Sequence, residues 1–77
     1  MAQALLQRQK RHEDAVTHYQ AALQLAPNSG VWQMGLGISL QALKRKEEAQ
    51  AAYRRALDTR SLNAELQEFV ERRLKEL

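Results

Sequence analysis

The sequence predicts an all-α fold in which antiparallel helix pairs stack on one another as a short helical repeat. Residues 6–23 recur at residues 40–57, thirty-four positions later, with 9 identities in 18 positions and no gap. A fixed period of this length is typical of stacked helical repeats. Most residues are strong helix formers, and no segment shows the sustained alternation of polar and apolar residues that a strand requires.

We expect five helices along the chain. Their predicted bounds are residues 2–9, 13–25, 29–43, 47–58 and 64–77. The second helix has to end before Pro27, because a residue that precedes proline is pushed out of the α-helical region. Asn28 or Ser29 then caps the third helix, and Asn63 is the best N-cap of the fifth, with Ser61 as a competitor.

Each helix pair is expected to turn at a short basic segment. The predicted turns are Lys10-Arg11-His12 in the first repeat and Lys44-Arg45-Lys46 in the second. Neither contains glycine, but basic side chains there can satisfy carbonyl groups at the C-terminus of the preceding helix. Glu13 and Glu47 follow these turns and lie favourably at the positive end of the next helix.

Length and composition bound the class of protein. Seventy-seven residues form at most one domain, and the sequence has no cysteine for a disulfide or a thiolate metal site. Twelve basic residues against nine acidic residues give a net charge of +3, which by itself does not predict nucleic-acid binding. No apolar run reaches the roughly 18 residues of a membrane-spanning helix. Since the sequence starts within a predicted helix, we expect that it was excised from a longer protein.

Residue types that commonly carry catalysis or bind metals are not arranged for either role. His12 and His18 are six residues apart, which places them roughly 120° apart around a helix and makes a shared metal ion difficult. The sequence shows no Ser-His-acid grouping, glycine-rich phosphate loop or paired carboxylates in an apolar setting. We therefore expect no enzyme activity, no cofactor and no metal site.

The duplicated residues resemble the tetratricopeptide repeat family, whose unit is a helix pair, A then B. The residues that carry the resemblance are Leu36, Gly37, Leu40, Ala49, Tyr53 and Ala56 in the second repeat, and Leu6, Ala15, Tyr19, Ala22 and Pro27 in the first. It implies a right-handed superhelix with a partial repeat at 1–27, a full repeat at 28–61 and a capping helix at 62–77. Gln33 and Ser61 depart from the family pattern, which usually has tryptophan and proline at these positions.

The same resemblance implies several packing contacts. Tyr19 and Tyr53 are expected to fill the space between helix pairs. Gly37 and Ala49 are expected to face each other where two helices approach closely, because a helical glycine costs about 1 kcal/mol relative to alanine and needs such a reason. Trp32 is expected to pack near Tyr19, and its use as an exposed anchor for a partner is the less favoured alternative.

Members of this family commonly bind peptides on the concave face that the A helices line. Here that face would present Val31, Met34, Ile38 and Gln41, joined by Phe69 and Arg72 of the final helix. Val31, Met34 and Ile38 form an apolar stripe whose helical spacing suits an amphipathic partner helix. An alternative of equal weight is that the chain's own final helix covers part of this stripe.

Two further kinds of partner remain open. Leu5 and Leu6 lie on a helix edge that lacks a preceding B helix, so two copies of the chain can pair through this edge as a homodimer. A weaker alternative is a contact of basic residues with nucleic acid or an anionic membrane. These residues are Lys44, Arg45, Lys46, Arg54 and Arg55. Because acidic residues interleave with them, a solvated face is favoured and no nucleic acid is expected.

A second resemblance concerns GVWQMGLGISL at residues 30–40 and FVERRL at residues 69–74. These segments are similar to the C-terminal repeats of bacterial proteins for biogenesis of the mannose-sensitive haemagglutinin pilus, a type IV-like pilus. The resemblance implies an assembly scaffold at the bacterial envelope or in the periplasm. Without it, the cytoplasm is the default location.

Overall fold

The structure, a computed structural model, describes the backbone of residues 2–77 and the side chains of residues 9–77. It contains four helices: α1 (Ala2–Leu25), α2 (Gly30–Ala42), α3 (Lys46–Asp58) and α4 (Ala64–Glu76). Residues 2–77 form no strand, and helices that are adjacent in sequence pack against one another. The predicted all-α class with a repeat-like stack of helices is confirmed.

The first two predicted helices are a single helix. α1 continues through Lys10-Arg11-His12, so the predicted turn at these residues is wrong, and with it the prediction of five helices. The 24 residues of α1 include neither glycine nor proline. Strong helix formers on both sides of Lys10 therefore favour continuation over a turn. α1 ends at Leu25, as predicted from the position of Pro27.

The core lies where α2 meets α1 on one side and α3 on the other, while α4 packs against α3. Its buried members are Val16, Leu36, Leu40, Ala49, Ala52, Tyr53 and Val70. Each Å² of apolar surface that is buried on folding stabilises the folded state by roughly 25 cal/mol. In a chain without cysteine, this packing has to supply the stability that disulfides give to many small domains.

Two glycines of α2 leave room for tyrosine rings of the neighbouring helices. A Cβ atom at Gly35 would lie 2.5 Å from Cζ of Tyr19, and one at Gly37 would lie 2.8 Å from Cδ1 of Tyr53. Both distances are well below the contact distance of carbon atoms, so a side chain at either glycine would displace a ring. Tyr19 thus fills space between α1 and α2, as predicted. The three atoms nearest that Cβ position at Gly37 belong to Tyr53, and the expected facing of Gly37 and Ala49 stays a prediction.

Two serines hold the N-terminus of α2. The hydroxyl of Ser29, the N-cap, accepts a hydrogen bond of 3.3 Å from the backbone N–H of Trp32. Ser61, which lies between α3 and α4, accepts one of 2.8 Å from the backbone N–H of Gly30. Asn63 is the N-cap of α4, as predicted. Ser61, the competing candidate for that position, instead caps α2, which explains why a hydroxyl is useful there.

The turn between α2 and α3 contains a residue in the left-handed conformation. Lys44 has a φ of 63°. Its N–H donates to the carbonyl of Gln41, and the N–H of Arg45 donates to the carbonyl of Leu40, each at 2.9 Å. These bonds satisfy carbonyl groups that a helix end otherwise leaves unpaired. The predicted turn is confirmed at Lys44 and Arg45, whereas Lys46, its third predicted residue, is the first residue of α3.

Candidate partner-binding surface

The α2 stripe, which we define as Val31, Met34 and Ile38, is open to solvent at both ends. The exposed fraction is 51% for Val31 and 37% for Ile38. Met34, between them, is half-buried and packs against the core. α4 packs against α3 and leaves both ends of the stripe exposed. Two of the residues predicted to contact a partner are therefore accessible apolar side chains on one helix.

Two tyrosine rings lie on either side of the stripe. α2 turns by roughly 100° per residue, which puts Ile38 between Gly35 and Gly37 around the helix axis. Gly35 faces Tyr19 of α1, and Gly37 faces Tyr53 of α3. The stripe is therefore the part of α2 that neither neighbouring helix covers, and packing on both sides fixes its position.

Gln41, which was predicted to join this surface, is half-buried and bound to a core residue. Its Oε1 accepts a hydrogen bond of 2.9 Å from the hydroxyl of Tyr53, whose side chain is fully buried. Burial raises the pKa of Tyr53 above its ordinary value of 10.0, while the nearby Arg73 opposes this shift and Glu76 adds to it. The hydroxyl therefore stays protonated at neutral pH and donates to Gln41.

Phe69 and Arg72, the residues expected from the final helix, lie in different surroundings. Phe69 is half-buried and packs against the core, and the guanidinium carbon of Arg73 lies 5.1 Å from its ring centroid. Arg72 is exposed and lines a shallow depression together with charged neighbours on α4. Arg73 was not predicted, although its position four residues after Phe69 places both on one helix face.

Trp32 lies on the side of α2 that meets α1, and Gly35 separates it from the stripe around the helix axis. Its ring meets Tyr19 edge-on, with ring centroids 6.3 Å apart and an interplanar angle of 88°. This geometry is within the range of favourable aromatic pairs, and it confirms the predicted contact between the two residues. The side chain of Trp32 is nevertheless exposed. It is therefore both packed against α1 and accessible to a partner.

Gln33 is buried on another side of α2, and its Oε1 accepts no hydrogen bond from any residue among 9–77. It borders a cleft between the α1–α2 turn and the C-terminal end of α3, which Arg55 and Asp58 also line. A buried amide oxygen without a partner costs about 1–3 kcal/mol. Gln33 lies apart from the stripe.

The basic residues of the second repeat lie among acidic ones. Nη1 of Arg45 forms an ion pair of 3.5 Å with Oε2 of Glu48, and both side chains are more than half exposed. Arg55 lines the same cleft as Asp58. Exposed ion pairs of this kind contribute little to stability. This mixture of charges fits the favoured interpretation of a solvated face.

Comparison with known families adds an independent observation to this geometry. A family model described as tetratricopeptide repeat matches residues 1–61, a range that includes both copies of the duplicated segment. The chain belongs to the tetratricopeptide repeat family. No curated protein and no solved structure gives a significant match to it.

Membership in the family defines the general role of the chain. Tetratricopeptide repeats are typically non-catalytic modules that bind other proteins, so the chain is a protein–protein interaction scaffold with protein partners. The helices of this tetratricopeptide repeat chain lie within residues 2–77, and none of them is long and apolar enough to cross a membrane. The stripe on α2 carries two exposed apolar side chains, Val31 and Ile38.

Proposed function

We propose that this tetratricopeptide repeat scaffold binds an amphipathic helix of a partner protein on the α2 stripe. The observation that carries the proposal is the exposure of Val31 and Ile38, two apolar residues on a helix that is otherwise packed on both sides. Their spacing suits the i, i+3 and i+7 anchors of a helix that docks through its apolar face. Met34 supplies an adaptable side chain between them.

The other expected contact residues take different roles in this proposal. Trp32 is an accessible aromatic side chain of the type that often dominates binding energy, but it lies beyond the contact of Gly35 with Tyr19 and meets only a partner that also reaches this side of α2. Gln41 has a positioning role, because its Oε1 accepts a hydrogen bond from the hydroxyl of Tyr53. Phe69 and Arg72 contact only a partner that is long enough to reach α4. The binding energy is thus expected to be concentrated on α2.

A matched pair of variants tests the proposal. Ile38→Glu and Ala51→Glu each place a glutamate at an exposed apolar position, the first on the stripe and the second on α3. The original chain is used to capture and identify a partner, whose binding helix is then titrated against each variant by calorimetry. We expect Ile38→Glu to weaken binding by at least about ten-fold, or 1.4 kcal/mol, because a carboxylate resists burial against apolar groups.

The control variant Ala51→Glu is expected to bind the helix as tightly as the original chain. Circular dichroism of both variants checks that the helices are intact. If Ile38→Glu binds the captured helix with the affinity of the original chain, the stripe is not the binding surface and the proposal is rejected.

We also propose the division of the chain into a partial repeat at residues 1–27, a full repeat at 28–61 and a capping helix at 62–77. In this division α2 and α3 are the helix pair of the full repeat, and α4 is the cap. A role in pilus biogenesis at the bacterial envelope rests only on the resemblance of residues 30–40 and 69–74. A captured partner from a pilus assembly supports that role, and a partner from an unrelated assembly rejects it.

A further inference from the structure

α4 runs in the same direction as α2, and contacts join the two helices at both ends. At the start, the backbone N–H of Gly30 in α2 donates a hydrogen bond of 2.8 Å to Oγ of Ser61, three residues before α4 begins. Toward the other end, the hydroxyl of Tyr53 donates to Oε1 of Gln41 in α2. Arg73 of α4 lies close enough to oppose the rise in pKa that burial causes in the same hydroxyl. The two helices therefore begin together, and both reach Tyr53 near their ends.

A row of charged residues on α4 takes the positions that the stripe takes on α2. The residues of this row, which we call the α4 row, are Glu65, Glu68, Arg72 and Lys75. The offset of thirty-four residues between the repeats carries the stripe onto the first three of them, and all four are exposed. At roughly 100° per residue, the row lies opposite the buried Val70, as the stripe lies opposite the buried Leu36. Because equivalent positions of a helical repeat share one face of the array, the row lies beside the stripe.

The charges of the α4 row are separated along the helix and are not neutralised by neighbours. Within residues 9–77, the one ion pair shorter than 4 Å joins Arg45 to Glu48, both outside the row. The two acidic residues of the row lie in the first half of α4, and its two basic residues lie in the second half. Of the other acids of α4, Glu71 accepts a hydrogen bond of 3.4 Å from Gln67, and Glu76 is the last residue of the helix. The row therefore presents a negative end and a positive end beside an apolar stripe.

We propose that the helix that docks on the stripe runs antiparallel to α2 and α4, with acidic residues in its first half beside Arg72 and Lys75 and basic residues in its second half beside Glu65 and Glu68. Packed helices lie about 8–10 Å apart, so the flank of a helix on the stripe comes within reach of the long side chains of the row. The inference rests on the proposed function and adds the charge order and the direction of the partner helix.

The helix dipole explains why the antiparallel direction is favoured. A helix is stabilised by acidic residues near its N-terminus and by basic residues near its C-terminus. α4 itself follows this order, with Glu65 in its first turn and Arg73 and Lys75 in its last turn. A partner helix of the same order meets opposite charges along the whole α4 row only when it runs antiparallel. In the parallel direction, the same partner would bring like charges together.

Two synthetic amphipathic peptides with the same length, composition and apolar face test the charge order. The flank of the first peptide has glutamates in its first half and lysines in its second half, and the flank of the second alternates the same residues. At low salt, we expect the 77-residue chain to bind the first peptide about five-fold or more tightly, because several exposed ion pairs of small individual strength add up. At about 0.5 M salt the preference is expected to fall below roughly two-fold, because exposed charges are screened. Calorimetry measures both affinities.

Matched double variants locate the charges that give this preference. Glu68→Gln with Arg72→Gln removes one charge of each sign from the α4 row, and Glu47→Gln with Arg54→Gln removes the same charges from exposed positions of α3. The first double variant is expected to bind the two peptides with nearly equal affinity, and the second is expected to keep the preference. Circular dichroism confirms that both are folded.

A paramagnetic label at the N-terminus of the first peptide tests the direction. We expect it to broaden the amide signals of residues 72–76 more than those of residues 64–68. The opposite pattern overturns the inference. So does equal affinity of the original chain for the two peptides, a preference that survives in the α4 double variant, or one that is lost in the α3 control.

The stripe variant Ile38→Glu separates this inference from the proposed function. If the two peptides bind the original chain equally and Ile38→Glu abolishes their binding, the stripe remains the docking site and only the charge order is wrong. If neither peptide binds, or if Ile38→Glu leaves both affinities unchanged, the stripe does not dock an amphipathic helix, and the proposed function fails together with the inference.

Discussion

Gln33 and Gln41 are two glutamines of the same helix, and they differ in how their side-chain oxygens are paired. Oε1 of Gln41 accepts a hydrogen bond from the buried hydroxyl of Tyr53. Oε1 of Gln33 is buried and has no partner among residues 9–77. The free-energy cost of burying a polar atom depends on whether it has a hydrogen-bond partner. The same substitution is therefore expected to change the free energy of unfolding in opposite directions at these two positions.

We expect Gln33→Met to stabilise the chain by about 1 kcal/mol, because an apolar side chain of similar length replaces an amide whose buried Oε1 has no hydrogen-bond partner among residues 9–77. Gln41→Met is expected to destabilise it by about 1–3 kcal/mol, because the Tyr53 hydroxyl loses its acceptor inside the core. Urea unfolding followed by circular dichroism gives both free energies of unfolding. Equal changes of the same sign would show that pairing does not govern these positions.

The glycines show how far single residues could be interpreted from the sequence. A glycine inside a helix predicts a close approach of another group, and the structure has a tyrosine ring at both Gly35 and Gly37. Which group approaches could not be predicted, because it depends on how each helix is rotated about its axis. For the same reason the sequence placed Gln41 on an open surface, whereas the rotation of α3 brings Tyr53 to it.

At the scale of helices, the bounds of α2, α3 and α4 were predicted within one residue at each end. Ser29 and Asn63 explain why the starts of α2 and α4 were predicted well, since capping side chains act locally and can be recognised from the sequence. α1 was predicted as two helices, because Lys10-Arg11 is identical to the Lys44-Arg45 turn of the second repeat, although it carries no proline or glycine that would end a helix. The same dipeptide turns in the second repeat, where tertiary packing of α2 on α3 accompanies the turn.

The left-handed residue at the end of α2 provides a test at this scale. Lys44→Gly is expected to stabilise the chain by about 1 kcal/mol, because glycine has no Cβ atom to oppose a φ of 63°. Lys44→Ala is the matched control, which removes the charge but keeps the Cβ atom, and its effect is expected to be close to zero. Thermal unfolding measures both, and a gain of about 1 kcal/mol corresponds to roughly 4–8 °C in a domain of this size. If Lys44→Ala stabilises the chain as much as Lys44→Gly does, the effect comes from the lost charge and not from the backbone conformation.

At the scale of the molecule, the helices form a linear series in which each packs on its neighbours in sequence. α2 lies inside this series, with helices on both sides. α4 lies at its end and contributes one fully buried residue, Val70. In such repeat arrays, stability is approximately a sum of contributions from each element and each interface. The terminal helix α4 is therefore expected to open more readily than α2 and α3, each of which has a helix on both sides.

Hydrogen exchange of the backbone amides distinguishes this behaviour from unfolding in a single step. Val70→Ala removes apolar volume from the interface between α4 and the core, at a cost of about 1.5–3 kcal/mol. We expect exchange in α4 to accelerate by roughly ten-fold or more, since 1.4 kcal/mol is ten-fold in an equilibrium constant, while α2 changes less. Val16→Ala, at the buried position of α1, is the matched control. It is expected to change the exchange rates of α4 less than those of any other helix. If Val70→Ala accelerates exchange equally in α2, α3 and α4, the helices open as one unit, and α4 is an integral part of the core rather than a separable cap.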